Sequence, residues 1–234
     1  MKQTFGIALL LLAVCVPAQQ KPAVAAAGEL EAVLTKMDKA AASFKNAQAD
    51  LQQETFTMVD GGTDTQQGKV FFRRTGKGMD IAVEIQGQGP RRSGARKIVF
   101  KDGKARMYQP GIDQITEYES GKNKSDIEAF VSLGFGGPGH DLLKSYEVKF
   151  SQWETIDQVR TARLELVPKS QRMSGMFSRI VLWVDPERDV LLRQQMFEPS
   201  KDHRLAHYSN IRVNAKLPEG ALDLPHAKTT VKAQ

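Results

Sequence analysis

Two closely spaced turn signals constrain the fold of this chain more than any other sequence feature. Asp102-Gly103 separates two short apolar-rich runs, and Pro110-Gly111 follows seven residues later. Gly accepts a positive φ and Asp tolerates one, whereas Pro fixes φ at the first central position of a turn. The stretch from Ala95 to Glu119 therefore predicts three short antiparallel strands joined by two turns. It holds no reactive pair of side chains, so we expect it to present a surface.

The same alternating pattern recurs along most of the chain. Further strands are predicted near 48–59, 65–74, 78–86, 96–101, 104–109 and 113–119, then near 146–154, 158–167, 176–184, 189–197 and 203–213. No strand–helix–strand repeat appears, which disfavours a parallel sheet. One antiparallel sheet of about eleven strands is too wide to stay flat, so we predict an α+β fold with a curled sheet whose apolar face is covered by helices.

Helices are predicted at the start of the sheet and in its middle. Apolar residues recur at helical spacing from Leu30 to Phe44 and predict an amphipathic helix over about 28–47. Ser125-Asp126-Ile127-Glu128 is a capping box that predicts a short helix to about Leu133. A second short helix is predicted over 140–145. The glycines between the two short helices match G-x-G-x-x-G by letter, but they follow a helix and not a strand. We interpret Gly134, Gly136 and Gly139 as a hinge, with an ordinary loop as the alternative.

The N-terminus is typical of a secretory signal peptide. Lys2 precedes an apolar run from Phe5 to Val16, which is too short to span a bilayer, and small residues follow it. We expect cleavage after residue 18, or as late as residue 27, and a periplasmic product. Cys15 is the only cysteine, and cleavage would remove it. Lipidation of Cys15 is a minor alternative, because Val14 stands where a small residue is expected. The predicted organisation is a leader over 1–18, one domain over 28–226 and a disordered polar tail over 227–234.

Composition and motifs argue against several function classes. The net charge of +6 is dispersed along the chain and aromatic residues make up 7%, so a basic stripe with stacking aromatics is not evident. His203 and His207 have metal-binding spacing only on a helix, and in a strand they lie ~13 Å apart. No nucleophile–base motif appears. We therefore predict no enzyme activity, no cofactor, no metal and no nucleic-acid partner. The basic cluster of Arg91, Arg92, Arg96 and Lys97 fits a solvated turn, or contact with acidic headgroups or an acidic partner.

Large or unbranched apolar residues lie on several predicted strands. Such side chains pack in cores, and they also suit a surface that adapts to alkyl chains. The candidates for lining a ligand cavity are Phe71, Met79, Met107, Tyr108 and Met196.

In the order of its elements the chain resembles the periplasmic lipoprotein carriers, the LolA-like and lipoprotein-sorting superfamily, over about Leu30 to Leu224. Four segments carry the resemblance: Phe44 to Gln53 after the first helix; Gly68-Lys69-Val70-Phe71-Phe72-Arg73-Arg74; Ile98 to Tyr118 with its two turns; and Ser178 to Asp185, followed by Tyr208-Ser209-Asn210-Ile211 and Leu217-Pro218. Thr75 stands where the family usually has Pro, and Leu222 where it has Phe, which leaves the cargo open.

The resemblance implies an incomplete β-barrel covered by the N-terminal helix and a short helical lid. Its apolar cavity would shield the acyl chains of a lipoprotein or lipid on the way from an inner-membrane donor to an outer-membrane acceptor, in a monomeric carrier. Arg74 matches the arginine that holds the family's lid. The expected lid contacts are Ile127, Phe130, Val131 and Leu133. The alternative is a lipid-binding, sensory or scaffold domain of the same fold that acts on a protein partner.

Overall fold

A computed structural model describes residues 21–76, 78–87, 94–118, 133 and 135–232. The predicted leader up to residue 18, the capping box and the lid contacts Ile127, Phe130 and Val131 lie outside the described residues, as does Gly134. A single sheet dominates the described part of the chain, and one long helix, α1, packs on it.

The sheet has twelve strands. They are β1 (Asn46–Thr57), β2 (Gly62–Thr75), β3 (Gly78–Ile85), β4 (Arg96–Lys101), β5 (Lys104–Gln109), β6 (Gln114–Tyr118), β7 (Tyr146–Ile156), β8 (Val159–Pro168), β9 (Arg179–Asp185), β10 (Val190–Phe197), β11 (His203–Val213) and β12 (Lys228–Lys232). Their order is β12-β6-β5-β4-β3-β2-β1-β11-β10-β9-β8-β7. All neighbours are antiparallel except β12 and β6. The predicted antiparallel sheet with an N-terminal helix is confirmed, and the sheet is not closed into a barrel.

Helix α1 (Lys21–Ser43) begins earlier and ends earlier than predicted. Alanines after Pro22 favour helix from the first turn, where Pro is tolerated. The end is set by Asn214, whose Nδ2 donates to the Ser43 carbonyl at 3.0 Å. Its Oδ1 accepts the amides of Lys45 at 2.7 Å and Asn46 at 3.3 Å. The chain therefore turns into β1 at Asn46, whereas the sequence predicted helix to Ala47.

Both predicted turns of the central stretch are present. Asp102 and Gly103 have φ of 53° and 73° and join β4 to β5. The second turn runs from Pro110 to Asp113, and its positive φ of 47° falls on Asp113 rather than on Gly111.

Two predictions about strands were wrong. The tail after residue 227 forms β12 and pairs with β6 in parallel, so it is not disordered over 228–232. The strand predicted over 176–184 begins only at Arg179. Residues before it form helix α3 (Gln171–Met176), because the Ser170 hydroxyl accepts the Met173 amide at 3.2 Å and caps that helix.

The two faces of the sheet bury different clusters. On the face turned towards α1, which we call the inner face, one large cluster joins Val33, Leu34 and Met37 of α1, and Phe44 just after α1, to Phe72, Phe135, Leu164, Ile180, Leu182 and Leu191. Phe135 stacks on Phe72 with ring centroids 4.2 Å apart. On the outer face a small cluster joins Phe71, Ala82 and Val99 to Ala221 and Leu222, which belong to the segment after β11.

Candidate ligand-binding site

A cavity of about 350 Å³ lies between α1, the paired ends of β2 and β3, and the segment from Gly136 to Tyr146. That segment contains a 3-10 helix (Gly139–Asp141) and the one-turn helix α2 (Leu142–Ser145). Met37, Met79, Pro138, Leu142 and Tyr146 give the lining its apolar part, and Arg74, Thr75, Asp141, Lys144 and Ser145 its polar part. A cavity that combines apolar side chains with polar groups is typical of a small-molecule site.

Strand register brings the cavity residues of β2 and β3 together. Arg74 lies opposite Met79, and Phe72 lies opposite Ile81. Because side chains alternate between faces along a strand, Arg74 and Met79 point to the inner face, whereas Arg73 points outward. Arg73 instead donates to Asp80 at 2.8 Å. Only one of the two adjacent arginines is thus available to the cavity.

The glycines of the segment lie in close contact with α1 and the residue that follows it. A Cβ on Gly136 would lie 2.2 Å from the Phe44 ring, and one on Gly139 would lie 2.6 Å from the Leu34 carbonyl oxygen. Gly136 also has a φ of 72°, which favours glycine. The two glycines therefore let the backbone of the segment pack directly against its neighbours. Their role as a hinge stays a prediction.

Arg74 connects β2 to that segment. Its guanidinium donates a short hydrogen bond to the Gly136 carbonyl and lies over the Phe44 ring, 5.9 Å from the ring centroid. Charge-assisted bonds of this kind contribute about 1.5–3 kcal/mol. The predicted lid helix lies outside the described residues, so the role of Arg74 as a lid latch stays a prediction.

Asp189 lies beside this contact, in the turn between β9 and β10. Its carbonyl accepts the Gly136 amide at 3.0 Å, and Phe135 forms a bridge with Val190. The Asp189 side chain is 0% exposed, and neither carboxylate oxygen has a hydrogen-bond partner among the described residues. Burial raises the pKa of this carboxyl to about 8, against an opposing effect of the Arg74 charge.

His140 ties the 3-10 helix to α1. Its Nδ1 lies 2.5 Å from Asp38 Oδ2, its Nε2 lies 3.2 Å from Glu31 Oε1, and its amide donates to Asp38 at 3.1 Å. The hydrogen bond to Asp38 raises the pKa of His140 despite some desolvation. Protonated His140 therefore holds the segment on α1 by ion pairs.

The structure places the predicted cavity residues on both faces of the sheet. Met79 lines the cavity. Met107 pairs with Ile98, which pairs with Val83, so it lies on the inner face two strands away. Met196 is buried in the inner cluster.

The other two predicted cavity residues lie on the outer face. Phe71 packs there against the segment after β11, and Tyr108, next to Met107, donates from its hydroxyl to Asp113 at 3.0 Å. Neither lines the cavity. The sequence could not place them correctly, because it does not fix which face of the sheet a strand residue lies on.

Several residues of the site were missed from sequence. Met37 and Tyr146 resemble ordinary core residues, and Asp189 has the sequence signal of a turn. His140 was noted, but its partners on α1 are more than 100 positions away.

The described residues hold no cluster of ligands suited to a metal ion. His203 stacks on Phe56 at 4.9 Å and His207 pairs with Asp157 at 2.6 Å, both from strand β11. Among the described helices, none has the length and apolarity needed to cross a bilayer.

Comparisons with known proteins support the fold. No family model and no curated protein matches the chain. Among solved structures, an uncharacterized conserved protein from Thermus thermophilus is 10% identical with a TM-score of 0.54, covering 87% of this chain and 99% of that one. MucB is 11% identical with a TM-score of 0.52, covering 87% of this chain and 66% of that one.

A LolA superfamily protein from Nitrosomonas europaea is 14% identical, covering 83% of this chain and 97% of that one. Its TM-score is 0.41. The chain therefore shares its fold with the Thermus thermophilus protein and with MucB. At these identities the likeness extends to the fold alone.

Proposed function

We propose that the protein is a carrier that holds an acyl chain of a lipid or lipoprotein in the cavity between α1 and the sheet, without catalysis. One observation carries the proposal: a cavity of about 350 Å³, lined by Met37, Met79, Leu142 and Tyr146, lies directly under the segment that Arg74 holds. Flexible Met side chains adapt to alkyl chains of different shape.

The physical chemistry of acyl chains supports this assignment. Each buried methylene contributes about 0.8 kcal/mol, so an apolar cavity binds a long chain strongly. A methylene takes up about the volume of a liquid water molecule, ~30 Å³, so this cavity holds about a dozen of them. Cargo with several long chains would require the segment from Gly136 to Tyr146 to move.

The proposed setting is the periplasm. The predicted leader over residues 1–18 directs export, and the LolA-like fold agrees with transfer of lipoprotein or lipid between an inner-membrane donor and an outer-membrane acceptor. We place Arg74 as the latch of the closed state, with Gly136 and Gly139 at the moving segment. Binding energy for the cargo then competes with the Arg74 contact during loading and release.

Filling the cavity tests the proposal. Met79→Trp adds volume inside the cavity, and Tyr108→Trp is the matched control on the outer face. We expect Met79→Trp to weaken binding of a fluorescent fatty-acid probe at least tenfold, and Tyr108→Trp to leave it within twofold. Equal probe binding by both variants and the wild type would refute acyl binding in this cavity.

A second experiment distinguishes a carrier from an enzyme and from a protein-binding domain. Acylated cargo incubated with the protein should be recovered intact by mass spectrometry. Hydrolysed cargo would indicate an enzyme. A protein that never binds the acyl probe but binds a protein partner would support the sensory or scaffold alternative.

A further inference from the structure

Asp189 is a buried acidic residue that the proposed carrier function leaves unused. Its carboxylate oxygens have no hydrogen-bond partner in the described part of the chain, which is a costly arrangement for a group that water would otherwise solvate. Buried polar groups in folded proteins are nearly always paired, so such an exception calls for a physical explanation.

Among the described residues, Arg74 is the cation that acts on the Asp189 carboxyl. Arg74 from β2 acts on the Asp189 carboxyl electrostatically, while Asp38 from α1 opposes its ionisation. On the same turn, Asp185 and Arg188 are already paired at 2.5 Å. The packed segment from Phe135 to Pro138 contributes no titratable side chain. In the closed arrangement Arg74 donates to the Gly136 carbonyl.

We propose that Asp189 is the second acceptor for Arg74, so that the guanidinium binds the Gly136 carbonyl when the segment 135–138 is closed and the Asp189 carboxylate when that segment lifts. The backbone contact supports this arrangement. The Gly136 amide donates to the Asp189 carbonyl at 3.0 Å, so lifting the segment breaks this bond together with the Arg74 bond, next to the buried Asp189 carboxyl. Asp189 is thus a positioning residue, which keeps Arg74 in place while the cavity is open.

The proposal has a defined pH dependence. In the closed state burial raises the pKa of Asp189 to about 8, so the carboxyl is neutral at pH 5–7. In the open state, water and Arg74 favour the ionised form, whose pKa returns to its usual acidic range. The closed state then binds one more proton than the open state, and opening increases about tenfold per pH unit between the two pKa values.

His140 also favours closure at low pH, because its ion pairs with Asp38 and Glu31 hold the same segment. Its pKa is raised above the usual value of 6.5, so it stays protonated from pH 5 to pH 6. Between pH 5 and pH 6 the charge of His140 therefore stays constant, and a change in opening over that interval reports on Asp189.

Hydrogen exchange at the Gly136 amide measures opening directly, because that amide is bonded to the Asp189 carbonyl in the closed state. Exchange rates corrected for intrinsic chemistry give the opening constant. We expect it to rise about tenfold from pH 5 to pH 6 in the wild type. A constant opening equilibrium in the wild type would overturn the proposal, and this measurement needs no variant.

Asp189→Asn identifies the group responsible. The variant should lose the pH dependence between pH 5 and pH 6 and should open at least tenfold less than the wild type at pH 7.5, where the ionised carboxylate is missing. Asp141→Asn is the matched control, because Asp141 lies on the segment from Gly136 to Tyr146 but is exposed and paired with Lys144. It should keep the wild-type pH dependence of opening. An Asp189→Asn profile that matches the wild-type profile would exclude Asp189.

This proposal rests on the carrier function for its purpose, but its test uses no cargo. A pH-dependent opening with no acyl binding would support the exchange of Arg74 between Gly136 and Asp189 and would contradict the carrier function. Acyl binding with pH-independent opening would do the reverse.

Discussion

The two halves of the inner face are packed differently. Across β8, β9 and β10 the inner face is fully buried, with Leu164, Leu182 and Leu191 each 0% exposed. Across β3, β4 and β5 the same face mixes buried side chains, such as Ile81 and Phe100, with half-buried ones, such as Met79 and Met107. The cavity lies at the boundary, where α1 and the segment from Gly136 to Tyr146 cover only part of β3. The difference suggests that one half provides stability and the other leaves room for a ligand.

Truncating one side chain in each half gives the largest expected effect. Leu182→Ala removes a fully buried side chain and should lower the free energy of unfolding by about 3 kcal/mol. Met107→Ala, in the open half, should cost less than about 1 kcal/mol, because its side chain is only half-buried. Urea denaturation measures both values. Similar losses would mean that the two halves do not differ in the way described.

The contact of Arg74 at the boundary comes next. In an Asp189→Asn background, which removes the open-state acceptor, Arg74→Leu removes only the bond to the Gly136 carbonyl. It should then raise the opening constant at the Gly136 amide about tenfold, since such a bond contributes about 1.5 kcal/mol or more. Cargo loading or release should change with it. Arg73→Leu is the matched control, because Arg73 bonds Asp80 on the outer face. If Arg74→Leu leaves opening, loading and release unchanged, Arg74 is not a latch.

The ion pairs of His140 with Asp38 and Glu31 are expected to contribute less to the free energy of unfolding than the Arg74 contact. Their contribution is fully present below pH 6.5 and is lost as pH rises through the raised pKa of His140. His140→Gln should therefore cost less than about 1 kcal/mol at pH 5.5, because the ring is partly exposed and screened by solvent, and almost nothing at pH 8.5. Urea denaturation at the two pH values tests this, with the exposed His226→Gln as control. A cost that is larger at pH 8.5 would contradict the assigned ion pairs.

The smallest effect is expected at the edge of the open half. A chain ending at Ala227 lacks β12, whose exposed side chains add little burial to β6. We expect a loss of about 0.5 kcal/mol and an unchanged affinity for the acyl probe. A loss above about 3 kcal/mol would show that β12 belongs to the cooperative core.

The elements of the sheet could be predicted from sequence because turn chemistry is local. Asp102-Gly103 and the glycine-punctuated strands carry their own signals. The face on which a residue lies could not be predicted, because a shift of one position exchanges the two faces. Phe71 and Phe72 are adjacent and equally apolar, yet only Phe72 lies in the inner cluster.

The chemistry of the site depends on contacts that sequence does not show. Arg74 was found through a family resemblance, whereas its partner, the Gly136 carbonyl, is a backbone atom with no residue signature. Asp189 follows a turn motif that predicts exposure, yet it is buried, next to Val190, which bridges to Phe135. The strand β12 was missed because its polar residues are typical of a disordered end.

Native mass spectrometry of the protein isolated from its own cells tests the carrier account most directly. Gentle ionisation preserves a bound acyl chain and gives the mass of the cargo. The account predicts that wild-type protein carries an acylated molecule and that Met79→Trp, with its cavity filled, does not, whereas Tyr108→Trp does. Wild-type protein that is empty, or cargo retained equally by Met79→Trp, would contradict it.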